Sequence, residues 1–310
     1  MRPRISPLLQ SIAQAIAAAS IALATANVVF AQAQRAQPAT AGVAIPDAVR
    51  IPRPSEQEIA TAERSFAAFV RSADQATRDI LARYPGLLEV RPPRVNTAIV
   101  PDLSPRFEAK HQDNLRVARE GDIELLLMGD SITDFWRNPE GNFAGKPVLD
   151  EYFGHWKIAN FGIAGDTTQG VLYRLQNGEG AGFSPRAIML MIGTNNTARN
   201  TAAEIAEGIG AVVLALRNDF PSARILLLGV FPRGRANDPV RATIAEINAR
   251  ISKLHDGDMV RYLDIGDVFL DGSGNIPAEV MSDGLHPSTE GYRRWARAVS
   301  EPLSALMNMR

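Results

Sequence analysis

No cysteine occurs anywhere in the 310 residues. That removes disulfides, thiolate zinc sites and cysteine nucleophiles in one step, so stability rests on packing. Histidine is nearly as scarce, with four in the chain, which leaves few side chains able to exchange a proton near neutral pH. Neither sign of charge is in excess: 33 basic against 34 acidic residues give a formal net charge of -1. Phosphate binding is dominated by clustered Lys and Arg, so nucleic acid is not an expected partner. Several signatures are missing as well, among them Gly-x-Ser-x-Gly, Gly-x-Gly-x-x-Gly and His-Glu-x-x-His. Residues Gly141 to Lys146 approximate a phosphate loop, but the spacing is one short and Pro147 stands where Ser or Thr is required. Nothing supports a metal or an organic cofactor. What remains is a chain that is 45% apolar and 22% charged, ordinary globular usage with room for a sizeable core.

At the N-terminus, Arg2 and Arg4 precede an alanine-rich apolar stretch from Ile12 to Phe30, followed by Ala31-Gln32-Ala33. This predicts a signal peptide over residues 1–33, cleaved near Ala33, and export to the periplasm or the exterior. The alternative is a retained signal anchor, since a stretch of about 19 residues just spans a bilayer. Residues 34–104 read as a linker and an N-terminal helical extension. Gln34 to Pro54 is rich in Ala, Pro and Gln, with no core of its own. Ser55 and Glu58 form a capping box that opens a helix running to Tyr84, where Pro85-Gly86 stops it. A second helix is predicted over Phe107 to Glu120, ending at Gly121.

Beyond Gly121 short apolar runs alternate with helical segments. The runs are Ile123–Met128, Lys157–Phe161, Ala187–Ile192, Ile225–Val230 and Met259–Ile265. Helices are expected at Thr168–Gln176, Ala202–Asn218, Pro239–His255 and Thr289–Leu306. Continuous apolar runs of this length suit strands buried on both faces, giving an α/β fold with a parallel sheet between helical layers. Ligands in such sheets bind outside the carboxyl ends of the strands, so chemistry-bearing residues should follow strands directly.

Three segments meet that demand, and a fourth stands at the start of the last helix. The first run leads into Gly129-Asp130-Ser131-Ile132-Thr133-Asp134, where Ser131 is either a nucleophile at a strand-to-helix turn or, with Asp134, a helix capping box. The second leads into Gly162-Ile163-Ala164-Gly165-Asp166-Thr167; Gly165 offers an N–H to an anion, or the segment is an ordinary turn capped by Asp166 or Thr167. The third is followed by Gly193-Thr194-Asn195-Asn196, and Asn195 is either a side-chain oxyanion donor or a turn residue. Ahead of the last helix stands Asp283-Gly284-Leu285-His286, in which Asp283 can hold one ring nitrogen of His286 while the other accepts a proton. His111 and His255 fall in expected surface helices and His155 beside Trp156, all read as structural. Trp136 and Phe231 either line the site or belong to the core.

Taken in order, GDSITDFW, NFGIAGDTT, GTNN and DGLHPS resemble the four blocks of SGNH/GDSL hydrolases, and YRLQNGE (173–179) and LLGVFPRG (227–234) resemble the subgroup of platelet-activating-factor acetylhydrolase catalytic subunits. The resemblance spans Pro105 to Leu306, and residues 105–310 are accordingly expected to form the hydrolase domain. It implies a three-layer α/β/α flavodoxin-like fold with a five-stranded parallel sheet in the order 2-1-3-4-5. It further implies Ser131 as nucleophile, His286 as base, Asp283 as its partner, and Ser131 N–H, Gly165 N–H and Asn195 as the oxyanion hole, with no cofactor. The implied activity is hydrolysis of short, acetyl-type carboxylic esters of carbohydrate or lipid. A lysophospholipase or thioesterase and a catalytically silent binding module are the alternatives. The related subunits dimerise, so a homodimer is one expected assembly, with the N-terminal extension either covering or extending that surface. Many members carry Asp after the oxyanion asparagine where this chain has Asn196, as the subgroup does. The exported extension is unlike the intracellular enzymes, and their particular substrate does not carry over with the motifs.

Overall fold

The computed structural model describes residues 43–84 and 95–309. The expected signal peptide, the linker up to residue 42 and the Pro85-Gly86 helix stop lie outside the described residues. Val43–Arg310 forms one compact unit, built on five parallel strands: β1 Leu125–Gly129, β2 Ile158–Asn160, β3 Ala187–Met191, β4 Arg224–Leu228 and β5 Val260–Leu263. Their order is β2-β1-β3-β4-β5, the expected topology. β1 and β3 pair in register from Leu125 opposite Ala187 to Gly129 opposite Met191, and both strands are buried throughout.

Alternation along the strands divides the core in two. Leu126, Met128, Ile188, Leu190, Ile225 and Leu227 face one layer, while Leu125, Leu127, Met189, Met191, Leu226 and Leu228 face the other. Each leucine so enclosed contributes about 1.5–3 kcal/mol. Helices Thr168–Arg174, Ala202–Asp219 and Pro239–Ile251 cover the first face. Helices Lys146–Phe153 and Thr289–Asn308 cover the second, on an aromatic cluster of Trp136, Phe153, Phe231, Phe269, Tyr292 and Trp295. Trp136 and Phe231 are thus core residues. The apolar runs in the sequence outlast the strands because Ile192 and Val230 stay buried after the ladder ends, holding the loops that follow against the sheet edge.

The chain before β1 departs from its sequence reading in two ways. The long helix expected from Ser55 to Tyr84 is two helices, Glu56–Ser72 and Gln75–Arg83, because Asp74 takes an extended conformation and caps the second through Thr77 N–H at 2.7 Å. The Ser55/Glu58 capping box is present as expected. Neither helix has a buried residue. By contrast, residues 43–53, expected as linker, lie against the core with Ile45 and Val49 buried, as is Ala98. The helix Glu108–Glu120 ends at Gly121 in the left-handed conformation, as the sequence predicts. Lys146–Phe153 was not expected as a helix; Pro147, which spoils the phosphate-loop reading, sits in its first turn, where a missing N–H does no harm.

Candidate active site

β1 stops at Gly129, and the next residue decides how Ser131 is presented. Asp130 is extended and its Oδ1 accepts from Ile132 N–H at 3.0 Å, so Asp130 is the cap of the short helix Ser131–Asp134. Ser131 is the first helical residue and not the cap. Its Oγ lies 2.9 Å from His286 Nε2. Asp134, the other half of the discarded capping box, accepts from Arg137 Nε at 3.0 Å and from Ala164 N–H at 3.0 Å. With Ile163 N–H donating to Gly129 O at 3.1 Å, this ties the turn after β2 to the Ser131 turn.

The histidine loop is organised by one carboxylate. Asp283 Oδ2 lies 2.6 Å from His286 Nδ1, while Oδ1 accepts from the backbone N–H groups of His286 and Leu285 at 2.8 and 2.9 Å. Burial pushes the Asp283 carboxyl up, but these hydrogen bonds outweigh it and hold the group below the ordinary aspartate range. An ionised Asp283 fixes the proton on Nδ1, and Nε2 then faces Ser131 Oγ as an acceptor. The ring is flanked by Phe135 and Phe143, with centroids 5.0 and 5.2 Å away. The sequence offered Trp136 and Phe231 as residues of either the site or the core and did not point to these two; only the chain's path through 135–143 puts their rings on His286.

Behind Ser131, Gly165 adopts φ +86°, a conformation that only glycine takes without strain. Asn195 Nδ2 donates to Asp166 O at 2.8 Å, so the structure brings the turn after β2 and the turn after β3 together. An amide has two N–H bonds, and the second of Asn195 is not used by that contact. Among the described residues neither Ser131 N–H nor Gly165 N–H meets a protein acceptor.

Beneath this turn lies a buried charge cluster that the sequence did not reveal. Arg174 donates to Asp166 Oδ2 from Nε (3.0 Å) and Nη2 (2.8 Å) and from Nη1 to Glu179. Glu179 in turn contacts His111 Nδ1 at 2.8 Å and Asn114 Nδ2 at 3.2 Å. Burial alone would lower the Arg174 pKa, but the Glu179 and Asp166 carboxylates raise it above the ordinary arginine value. His111 is therefore not on a surface helix face: it is 3% exposed, covered by a partner 68 residues away. His155 lies against Trp156 as expected, but the helix expected to carry His255 ends at Ile251, and His255 stands in extended backbone past a turn of 3-10 helix, accepting from Tyr262 N–H. Among the described residues no group of three or more His, Asp and Glu is arranged to hold a metal ion.

Asp130 has a further property. Its Oδ2 is buried without a hydrogen-bond partner, and burial pushes the carboxyl up to about 7, with Ile132 N–H opposing and the Asp166 charge adding to the rise. The unfolded chain releases this proton near pH 4, so from there to about pH 7 the native state holds a proton that the unfolded state lacks. Stability is greatest below the unfolded pKa and falls as pH rises. Between pH 5 and 8 this group should lower wild-type stability by about 2–3 kcal/mol. Asp130→Asn keeps the capping oxygen and stays neutral. Urea unfolding at both pH values should show a correspondingly flatter profile for the variant, whereas identical profiles would mean that Asp130 is ionised in the fold.

The model of the GDSL-like lipase/acylhydrolase family matches residues 127–294, from within β1 into the last helix. Platelet-activating factor acetylhydrolase IB subunit alpha2 of Rattus norvegicus is 33% identical over 203 residues, covering 65% of this chain and 85% of that protein. Among solved structures, one from Bacteroides fragilis assigned as an acylhydrolase superposes with TM-score 0.53 at 19% identity, covering 65% of this chain and 97% of the other. A GDSL-like lipase of Bacteroides thetaiotaomicron gives TM-score 0.50 at 18% identity, covering 64% and 97%. The matched span holds the serine turn, both turns behind it and the histidine loop, and on that match the chain belongs to the GDSL-like lipase/acylhydrolase family, a family of hydrolases.

Proposed function

We propose that the protein is a serine esterase that hydrolyses short-chain, acetyl-type carboxylic esters through an acyl-enzyme on Ser131. The observation that carries this reading is the unbroken line from Asp283 Oδ2 through His286 to Ser131 Oγ, with contacts of 2.6 and 2.9 Å. In this mechanism His286 Nε2 takes the Ser131 proton as Oγ attacks the ester carbonyl carbon. The carbonyl oxygen, now negative, is received by Ser131 N–H, Gly165 N–H and the free N–H of Asn195. His286 returns its proton to the departing alcohol. Water then repeats the attack on the acyl-enzyme, His286 again accepting the proton; the bond to Ser131 Oγ breaks, His286 returns the proton to Oγ, and the acid leaves. Asp283 stabilises the imidazolium at both stages.

The preference for a short acyl group rests on the acetylhydrolase relatives at 33% identity. Hydrolysis of p-nitrophenyl acetate, butyrate and octanoate tests it, with a fluorophosphonate to label the nucleophile. Acetate should give the highest kcat/KM. If octanoate is fastest, a lysophospholipase or thioesterase replaces the short-chain reading, and a folded protein that neither hydrolyses nor labels is a binding module. Export after cleavage near Ala33 is part of the same proposal, supported by the Arg2/Arg4 and Ala31-Gln32-Ala33 pattern. N-terminal sequencing of the mature protein checks it.

A further inference from the structure

We infer that the segment Asn96–Ile99, which the N-terminal extension lays against the hydrolase core, is a positioning element for the Asn195 oxyanion donor; the inference rests on the esterase reading above. Asn195 is followed by Asn196, which is 2% exposed and fully engaged. Asn196 Oδ1 accepts from Thr168 N–H at 3.1 Å, and Nδ2 donates to Gln169 Oε1 at 2.7 Å, Thr168 Oγ1 at 3.2 Å and Asn200 Oδ1 at 3.3 Å. Two of these partners are themselves held by the extension. Thr168 Oγ1 donates to Ala98 O at 2.7 Å, and Asn200 Nδ2 donates to Thr97 Oγ1 at 2.9 Å. The Asn195-Asn196 turn is thus gripped, through Thr168 and Asn200, by a segment that lies outside the matched family region of 127–294.

Asn96 fixes that segment. Its Oδ1 accepts from Ala98 N–H at 2.9 Å, closing the turn, and its Nδ2 donates to Glu204 O at 3.0 Å and Glu207 Oε2 at 2.9 Å. The helix Ala202–Asp219 is shaped to receive it. At Gly208 a Cβ would stand 2.7 Å from Thr168 Oγ1 and 2.8 Å from Ala98 O, so any side chain there separates the two. Glycine within a helix is unfavourable by itself, and here its place coincides with the seat of the segment.

A double-mutant cycle in the full chain tests the inference. Asn96→Ala should lower kcat about tenfold with KM within about twofold of wild type, the pattern of a contact felt only in the transition state. Gly208→Ala, which acts on the same seat through different atoms, should do the same. Asn195→Ala alone should lower kcat on the order of 100- to 1000-fold, and adding Asn96→Ala to it should bring no further loss, because both act through one donor. An undiminished kcat in Asn96→Ala, or the same tenfold loss with and without Asn195, overturns the inference and leaves the segment with a stabilising role only. If Asn195→Ala itself turns over like wild type, the oxyanion assignment fails first and the inference with it.

Discussion

Replacing Ser131 by alanine should leave a folded protein whose ester turnover is lower by on the order of 10,000- to 1,000,000-fold. The size of the loss follows from what stays behind. Ser131 is 6% exposed and its hydroxyl is a small part of the local packing. Asp130 N-caps the helix whether or not the hydroxyl is there, and Asp283 holds His286 from its own loop. In the proposed mechanism the base, the backbone donors and Asn195 are retained, so the variant keeps whatever acceleration they give to direct attack by water, but no acyl-enzyme can form. Turnover of p-nitrophenyl acetate measured beside urea unfolding separates the two quantities. A variant that retains more than a few per cent of wild-type turnover would move the nucleophile elsewhere.

Arg174→Met should destabilise the fold by about 3–5 kcal/mol, the usual consequence of removing one partner from a buried ion pair. Methionine keeps much of the length of the side chain, so the loss is mainly electrostatic. Asp166 and Glu179 are both fully buried and would face each other with no cation between them. Against a typical total of about 5–15 kcal/mol for a domain, this is a large fraction. The deficit should shrink at pH 5, where carboxyl groups stranded in an apolar site take up protons. Urea unfolding at pH 7 and pH 5 gives both numbers, and a loss under about 1 kcal/mol at pH 7 would mean that water or a rearranged neighbour already shields the carboxylates. Because Asp166 follows Gly165 and its carbonyl receives Asn195, the same cluster supports the floor of the candidate site.

How far the sequence led depends on the range of the interactions involved. Strands β1, β3 and β4 were legible because burial on both faces leaves an uninterrupted apolar run, and the strand order came with the family resemblance. Ser131, Gly165, Asn195 and His286 could be singled out because each follows or adjoins a strand end or helix start within a few residues of a local signal. The Ser131 alternatives were not separable that way: whether Asp130 or Ser131 caps the helix depends on one backbone conformation. His111 was misplaced since Lys110, Gln112 and Asp113 surround it with polar residues, and the Glu179 that buries it is far along the chain. The docking of 43–53 and 95–100 was equally hidden. Its one local trace was the pair Gly208 and Gly210 inside an otherwise good helix, where side chains would strike Ala98 and Val49.

Glu207, fully buried, receives Ile51 N–H at 2.6 Å, the Arg53 guanidinium at 3.0 and 2.7 Å, and Asn96 Nδ2 at 2.9 Å. Residues on either side of the exposed helices Glu56–Ser72 and Gln75–Arg83 thus finish on one carboxylate. The two helices, without a buried residue, lie on a detour whose flanking residues Arg53 and Asn96 meet at one side chain. Doubling such a detour costs only about 0.6 kcal/mol of loop entropy. A change of length within the helices Glu56–Ser72 and Gln75–Arg83 therefore leaves untouched the residues that pin the extension to the core.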